Sequence, residues 1–281
     1  MKVLTAVVNN PTFIEIQYNT LKKYMRCPYE FIVFNDAKPF PDFTNEGDVT
    51  LRTQISDLCS KLQIKCVNIE NEHHREKTNA SSRTADSCNH MLDYQVHNPD
   101  KYLVLDSDMF LVDDFYGNEY DNYKCAVVLQ SRDDHTTHYF WNGLYYFDMN
   151  KIKDTYLMNW KCDVGTDTGW MMQLWLGYQT EDFPNTDEIR HSNQSFHRDD
   201  IYYIKHLWST SWDDSEYPEN LKKNRELLAF MKDDPRNNAQ GKYFCEIYDN
   251  KFLHYRAGGN WNHEGMNLHL HLANKLKEIL Q

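Results

Sequence analysis

The chain has 281 residues, with 30 Lys and Arg against 42 Asp and Glu and a formal net charge of −12 at pH 7. That length suits one large α/β domain whose core needs neither disulfides nor a structural metal to fold. A nucleic-acid surface requires a basic stripe; this acidic chain carries none, which excludes nucleic acid and disfavours anionic membranes as partners.

The seven cysteines (Cys27, Cys59, Cys66, Cys88, Cys125, Cys162 and Cys245) are scattered, odd in number and without a Cys-x-x-Cys pair. They read as free thiols of a reducing compartment, not as a zinc site or a disulfide framework. The opening apolar run breaks at Asn9-Asn10-Pro11, too early for a signal peptide, and no stretch approaches the roughly 20 apolar residues of a membrane span. The expectation is a soluble, cytoplasmic protein without an anchor.

Residues 2–8 predict a first strand, closed by the Asn-Asn-Pro turn. Ile14, Tyr18, Leu21 and Met25 recur three or four apart and predict a helix over 13–25. A second strand, 31–34, ends in Asn35-Asp36, and strand–helix–strand favours a parallel sheet. A Pro-, Asp- and Asn-rich loop follows at 40–48, then a short helix at 55–62 and a third strand at 65–69. The polar segment 70–79 carries His73, His74, Arg75 and Lys77. Residues 80–96 predict a long helix with Ala85, Cys88, Leu92 and Val96 on one face and Arg83, Asp86 and His90 on another. The apolar run 102–105 fits a strand buried on both faces and stops in Asp106 and Asp108.

Beyond the acids, residues 125–129 predict a strand and 131–138 a polar loop with His135 and His138. Trp141-Asn142-Gly143 precedes a strand at 144–147, where Asn-Gly reads as a turn. A loop at 161–169, with Asp163, Gly165 and Asp167, leads to a helix at 170–176. Residues 183–243 are irregular, strand-like only at 201–208. A short strand at 252–254 ends in His254 and is followed by Tyr255-Arg256-Ala257-Gly258-Gly259-Asn260-Trp261. Leu268, Leu272, Leu276, Ile279 and Leu280 make a closing amphipathic helix.

Open α/β sheets bind ligands at the carboxyl edge of their strands. Asp106-Ser107-Asp108 is the only Asp-x-Asp in the chain, and it stands at such an edge. Oxygen ligands of this kind suit hard divalent cations that carry phosphates. His254, ending another strand, is the candidate third ligand; a nitrogen in the set suits Mn2+ better than Mg2+. The glycines after it, Gly258 among them, permit close backbone approach to a ligand. Asn9, Asn10, Asn35 and Asp36 end the first two strands, either as turn and cap residues or as contacts to a nucleotide base and ribose. Arg83 is surface decoration of its helix or a bidentate phosphate contact. Asp167 caps the following helix or enters the cleft; with Asp163 it is a candidate catalytic carboxylate, as a base or as a stabiliser of positive charge.

With these residues in this order, the chain resembles a GT-A-fold glycosyltransferase, and its compactness is similar to bacterial or large-virus members. The resemblance rests on the Rossmann-like start, Arg83 on the helix leading to Asp106-Ser107-Asp108, Asn142-Gly143 before a strand, and the late His254 followed by glycines and Trp261. It covers roughly residues 1–182 and the stretch around His254. It implies an α/β fold with a mixed, mostly parallel central sheet flanked by helices. It also implies one catalytic domain over 1–281, with a nucleotide-sugar-binding half at 1–115 and an acceptor-side half at 116–281. By this resemblance Asp108 and His254 ligate Mn2+ (or Mg2+), and Asp106 reaches the metal or the ribose. Arg83 touches a UDP- or GDP-linked donor, Asn142 and Gly143 line the cleft beneath the sugar, and the acceptor is a carbohydrate or glycoconjugate. The late histidine resembles retaining members, yet Gly-Gly-Asn-Trp stands where Lys-Pro-Trp would, so inverting and retaining routes both stay open. A sugar-phosphate nucleotidyltransferase would carry a Gly-rich basic loop where this chain has Asn9-Asn10-Pro11. A non-catalytic carbohydrate-binding protein would use the aromatics but leave the acids at a buried strand end unexplained.

Overall fold

The computed structural model describes residues 1–38, 49–70, 72–76, 79–132, 137–163, 166–191, 196–207, 217–237, 243–259 and 265–281. The loop expected at 40–48, and Lys77, His135, Gly165, Trp208, Asn260 and Trp261, lie outside them. The first half follows its apolar periodicity. Strands β1 (Lys2–Val7), β2 (Glu30–Asn35), β3 (Lys65–Asn68) and β4 (Lys101–Leu105) pair in parallel in the order β3-β2-β1-β4. Helix α1 (Pro11–Tyr24) opens on a proline, tolerated because the first turn needs no amide donor, and buries Phe13, Ile14, Ile16, Gln17, Thr20 and Leu21. Helix α2 (Leu51–Leu62) follows β2, and the polar segment 70–79 contains a single helical turn, α3 (His73–Glu76). Helix α4 (Ala80–His97) starts where the Asn79 side chain accepts from the Ser81 amide.

Strand β5 (Met109–Leu111) leaves this sheet, while β6 (Cys125–Arg132) and β7 (Thr137–Asp148) return to it as an antiparallel pair beside β4. The strand expected at 144–147 is thus much longer, and the ends of the expected loop at 131–138 are paired, Ser131 with His138 and Arg132 with Thr137. Asn142-Gly143 is not a turn. The β6–β7 register jumps from Val127 opposite Tyr145 to Leu129 opposite Phe140, so residues 141–144 of β7 bulge there.

Helix α5 (Gln173–Gln179), preceded by a 3-10 turn at Trp170–Met172, packs on β7. The region 183–243 is not an appendage to the sheet. After α6 (Thr186–His191), β8 (Phe196–Arg198) and β9 (Ile201–Tyr203) complete the large sheet, β9 parallel to β6. Strand β10 (His206–Leu207) starts a second, antiparallel sheet with β11 (Glu246–Tyr248), β12 (Phe252–His254) and β5. Helices α7 (Glu219–Lys223), α8 (Arg225–Lys232) and α9 (Met266–Leu280) follow the remaining chain, and α9 packs on α1. Among the described residues the large sheet has eight strands, most neighbours parallel, with helices on both faces: the expected mixed α/β class.

The parallel strands are apolar on both sides. Val3, Leu103 and Leu105 face α1 and α2, while Leu4, Tyr102 and Val104 join Ala85, Cys88 and Leu92 of α4. A third cluster, with Phe13, Phe110, Leu253, Phe230 and Leu276, fills the space under the second sheet. One charge is buried there. Arg236 forms a two-pronged pair with Asp234 (2.9 and 2.6 Å) and donates to the main-chain oxygens of Tyr255 (2.9 Å) and Arg256 (2.7 Å). Its guanidinium lies 3.9 Å from the Tyr255 ring centre, so the pair clamps the chain just after β12. The side chains of Arg236 and Asp234 are 2% and 0% exposed. Removing one partner strands a buried charge, so Asp234→Ala should cost about 3–5 kcal/mol by urea denaturation, and Asp234→Ala/Arg236→Met should recover much of that loss.

Candidate metal centre

The chain leaves the large sheet at Leu105 and enters the second at Met109, and the three residues between are Asp106-Ser107-Asp108. Several contacts fix this link. The Asp106 amide donates to the Gly143 carbonyl (2.7 Å), an oxygen offered by the bulged part of β7, and the Met109 amide closes the turn on the Asp106 carbonyl (3.0 Å). Gln17, buried on α1, donates to the carbonyls of Asp106 (2.8 Å) and Met109 (3.1 Å). Met109 then lies opposite His254 in the β5–β12 pair, and Tyr255 N donates to Asp108 O at 2.9 Å. The Gly258 amide donates to Asp108 Oδ2 at 2.7 Å. A Cβ on Gly258 would sit 2.7 Å from Phe13 and Tyr255 ring atoms, so glycine is what lets this amide come close.

The result is a cluster in which one ligand atom from each of Asp106, Asp108 and His254 lies within 4.8 Å of the others. His254 Nε2 is 3.3 Å from Asp108 Oδ1, and beyond this pairing that buried oxygen has no hydrogen-bond partner among the described residues. His254 Nδ1 is 2.9 Å from Glu246 Oε2, an oxygen that also accepts from the Tyr248 hydroxyl at 2.9 Å. A carboxylate on Nδ1 fixes the proton there and turns Nε2 toward the two aspartates, the arrangement that second-shell carboxylates give metal-binding histidines. Trp141 packs against both His254 and Tyr248, and its ring occupies the space where a Gly143 Cβ would stand.

Without a cation the charges compensate through the histidine. Burial disfavours His254's charge, but Asp108 and Glu246 outweigh it and raise its pKa to about 10. Burial would raise Asp108 and Glu246, yet His254 holds both below the ordinary carboxylate range. Asp106 lacks that direct partner; burial and then the Asp108 charge push it up to about 7. A buried Asp108 in conflict with a half-buried Asp106, and an imidazole oriented from behind, fit a divalent cation. Asp106, Asp108 and His254 would hold it with positions to spare.

The other sequence candidates fall in different places. Asn142 is buried in the bulged part of β7. Asp167 stands 3.4 Å from Ser81 Oγ in the first turn of α4, and its charge contributes to raising Asp106. Asp163 is exposed; its main-chain amide donates to Thr166 Oγ1 (2.6 Å), and its carbonyl accepts from that hydroxyl (2.9 Å). Arg83 lies half-buried near the start of α4. Asn9 Nδ2 donates to the Gly259 carbonyl (2.9 Å), linking the end of β1 to the loop after His254. Asn10 precedes α1 in the left-handed conformation, fully buried, and its amide has no hydrogen-bond partner among the described residues. Asp36 is buried, its carboxylate held by His73, His74 and Ser87, so its contacts lie within the protein.

Glu246 and Gln17 escape the sequence reading. The signal for Glu246 is the hairpin. Asp249 and Asn250 take positive φ between two short alternating strands, and that turn sets Glu246 opposite His254.

No family model and no curated protein matches the chain. Two crystal structures of the galactosyltransferase LgtC are similar to it. One, of an active-site mutant, is 15% identical over 54% of this chain and 58% of that chain, with a TM-score of 0.35. The other, in complex with donor and acceptor sugar analogs, is 14% identical over 56% and 62%, again with a TM-score of 0.35. The match thus spans about three fifths of LgtC. The resemblance drawn from the sequence has its fold class and its acidic cluster in this chain's own structure. Among the described residues no helix is long and apolar enough to cross a membrane.

The raised pKa of His254 has a consequence for the metal-free chain. Its contribution to stability is complete below about pH 6.5, the ordinary value, and is lost as pH rises through about 10. The urea midpoint should therefore fall across that window, and fall less for His254→Gln. Glu246→Gln keeps a hydrogen bond but removes the charge behind His254; Mn2+ affinity, followed by electron paramagnetic resonance titration, should drop about 10- to 100-fold.

Proposed function

We propose that the chain is a metal-dependent glycosyltransferase of the GT-A type, moving a sugar from a UDP- or GDP-linked donor to a carbohydrate or glycoconjugate acceptor. The observation that carries this reading is the cluster of half-buried Asp106 with buried Asp108 and His254, next to the carboxyl end of the parallel strands. Breaking the bond between a sugar and a nucleoside diphosphate develops negative charge on the leaving phosphate. A Mn2+ (or Mg2+) ion held by Asp108 and His254, with Asp106 as the third ligand or on the ribose, would supply Lewis-acid stabilisation of that charge.

The chain's own residues do the rest of the work. Gly258 N engages one oxygen of Asp108 and leaves the other toward the site. Glu246 holds His254 in one tautomer. Arg83 is assigned to the donor phosphates, and Asn9 and Asn10, at the end of β1, to the nucleoside. For Asn10 the support is its buried amide, unpartnered among the described residues. Asp36, at the end of β2, belongs to the same edge, and His73, His74 and Ser87 engage its carboxylate there. Asn142 and Gly143 set the cleft floor through the β7 bulge.

Between the two candidate catalytic carboxylates, Asp167 is favoured over the exposed Asp163 because it shares the field of Asp106. It would take the acceptor proton in an inverting route or face the oxocarbenium-like sugar in a retaining one. UDP or GDP with Mn2+ should raise the melting temperature by several degrees at saturation, corresponding to about 2.7 kcal/mol at one hundred times Kd. Asp108→Ala should abolish the shift. Asp167→Asn should keep it while lowering kcat by about 10²- to 10⁴-fold. No shift with any nucleoside diphosphate would overturn the reading.

A further inference from the structure

A second cluster lies at the end of β2, outside the Asp106–Asp108–His254 centre. Asp36, His73 and His74 are 2%, 7% and 3% exposed, and one ligand atom from each lies within 4.8 Å of the others. Both imidazoles present the same atom. His73 Nε2 is 3.1 Å from Asp36 Oδ1, and His74 Nε2 is 3.2 Å from Asp36 Oδ2 and 2.9 Å from the Asp36 main-chain oxygen. Consecutive helical residues project about 100° apart and do not normally share a target. Here the two rings lie only 4.4 Å apart, centre to centre, and their Nε2 atoms converge on one carboxylate. Ligands bound tetrahedrally at about 2.0–2.2 Å sit roughly 3.3–3.6 Å from one another, within the 4.8 Å that bounds the separation of these ligand atoms.

The carboxylate is oriented from α4, where Ser87 Oγ donates to Asp36 Oδ2 at 2.5 Å, as outer-shell partners orient metal-binding carboxylates. Burial would raise the Asp36 pKa, but the two imidazoles outweigh it and hold the carboxylate ionised, at about 2. The donor set is therefore one carboxylate oxygen and two imidazole nitrogens, softer than the two carboxylates and one imidazole of the first centre. Imidazole-rich sets of three with an open fourth position suit zinc and its first-row neighbours rather than magnesium.

We infer that Asp36, His73 and His74 form a second divalent-metal site, of the zinc class, distinct from the Asp106–Asp108–His254 centre. A bound ion would replace the Nε2 protons and tie α3 to the end of β2 and, through Ser87, to α4. The inference does not depend on the glycosyltransferase reading.

The test uses the full chain carrying Asp108→Asn and His254→Ala, which disables the first centre, with Co2+ and Zn2+ as probes. Equilibrium dialysis should give one Co2+ per chain, with the strong visible absorption of a tetrahedral ion that Zn2+ displaces. Adding His73→Ala or His74→Ala should remove both the equivalent and the absorption, with circular dichroism checking the fold. Adding His74→Cys instead should keep one equivalent and introduce a thiolate-to-Co2+ charge-transfer band. If the alanine variants do not fold, that band decides: its presence supports the site and its absence overturns it. No bound Co2+ in the parent, or unchanged binding in both folded alanine variants, would mean that Asp36 and the histidines form a hydrogen-bonded network only, and would also overturn it.

Discussion

The three-residue step from one sheet to the other, at Asp106-Ser107-Asp108, is the constraint on which the candidate site depends. A strand buried on both faces cannot carry charge along its length, so the acids can stand only where β4 ends. The turn sends the chain at once into β5, and β5 fixes the register of β12 and, through it, β11. That register brings His254 from late in the sequence to the two acids and lays Glu246 behind it. The same turn is held from three sides, by Gln17 on α1, the β7 bulge at Gly143 and the Gly258 amide. Main-chain and amide contacts thus set the position of the acids, and their charge has little say in it.

That charge is nevertheless the expensive part of the arrangement. Asp106, Asp108 and Glu246 are all inside the protein, with His254 as the cation among them. A buried carboxylate is tolerated when it is paired or hydrogen-bonded. Asp108 and Glu246 share the imidazole, while Asp106 rises toward neutrality. The contrast with Asp234–Arg236 is instructive. There the guanidinium has its carboxylate and two carbonyls, the charges balance, and the contacts are structural. At the Asp106–Asp108–His254 cluster the balance is incomplete, because Asp106 has no direct cationic partner of its own.

Much of this was legible in the sequence where local pattern and global fold agree. The β1–α1–β2 unit, α4 and β4 carry their periodicity openly because each buries a continuous face. The acids were legible because they interrupt an apolar run, and His254 because it ends a strand before two glycines. Asn142-Gly143 is compatible with a turn or a bulge, and only the partner strand β6 distinguishes the two. The region 183–243 was legible only at 201–208, where β9 and β10 lie; β8 was opaque because it is three residues long and pairing with β9, not local propensity, makes it a strand. Glu246 was hidden among many acids, since its meaning comes from the residue opposite it across a hairpin.

The two histidine–carboxylate clusters divide the edge of the parallel half between them, one where β4 ends and one where β2 ends. Their chemistry differs in a way the surroundings reinforce. At the β4 end a single imidazole is backed by a carboxylate and faces two acids, an oxygen-dominated set suited to a hard divalent ion. At the β2 end two imidazoles face one carboxylate that a serine hydroxyl orients, a set suited to an ion that stays. Asp36 was read from sequence as a contact for the nucleotide because of its place at a strand end. Its place is as expected, but the side chain's partners come from α3 and α4, so position along a strand fixes which edge a residue belongs to and its neighbours decide what it does there.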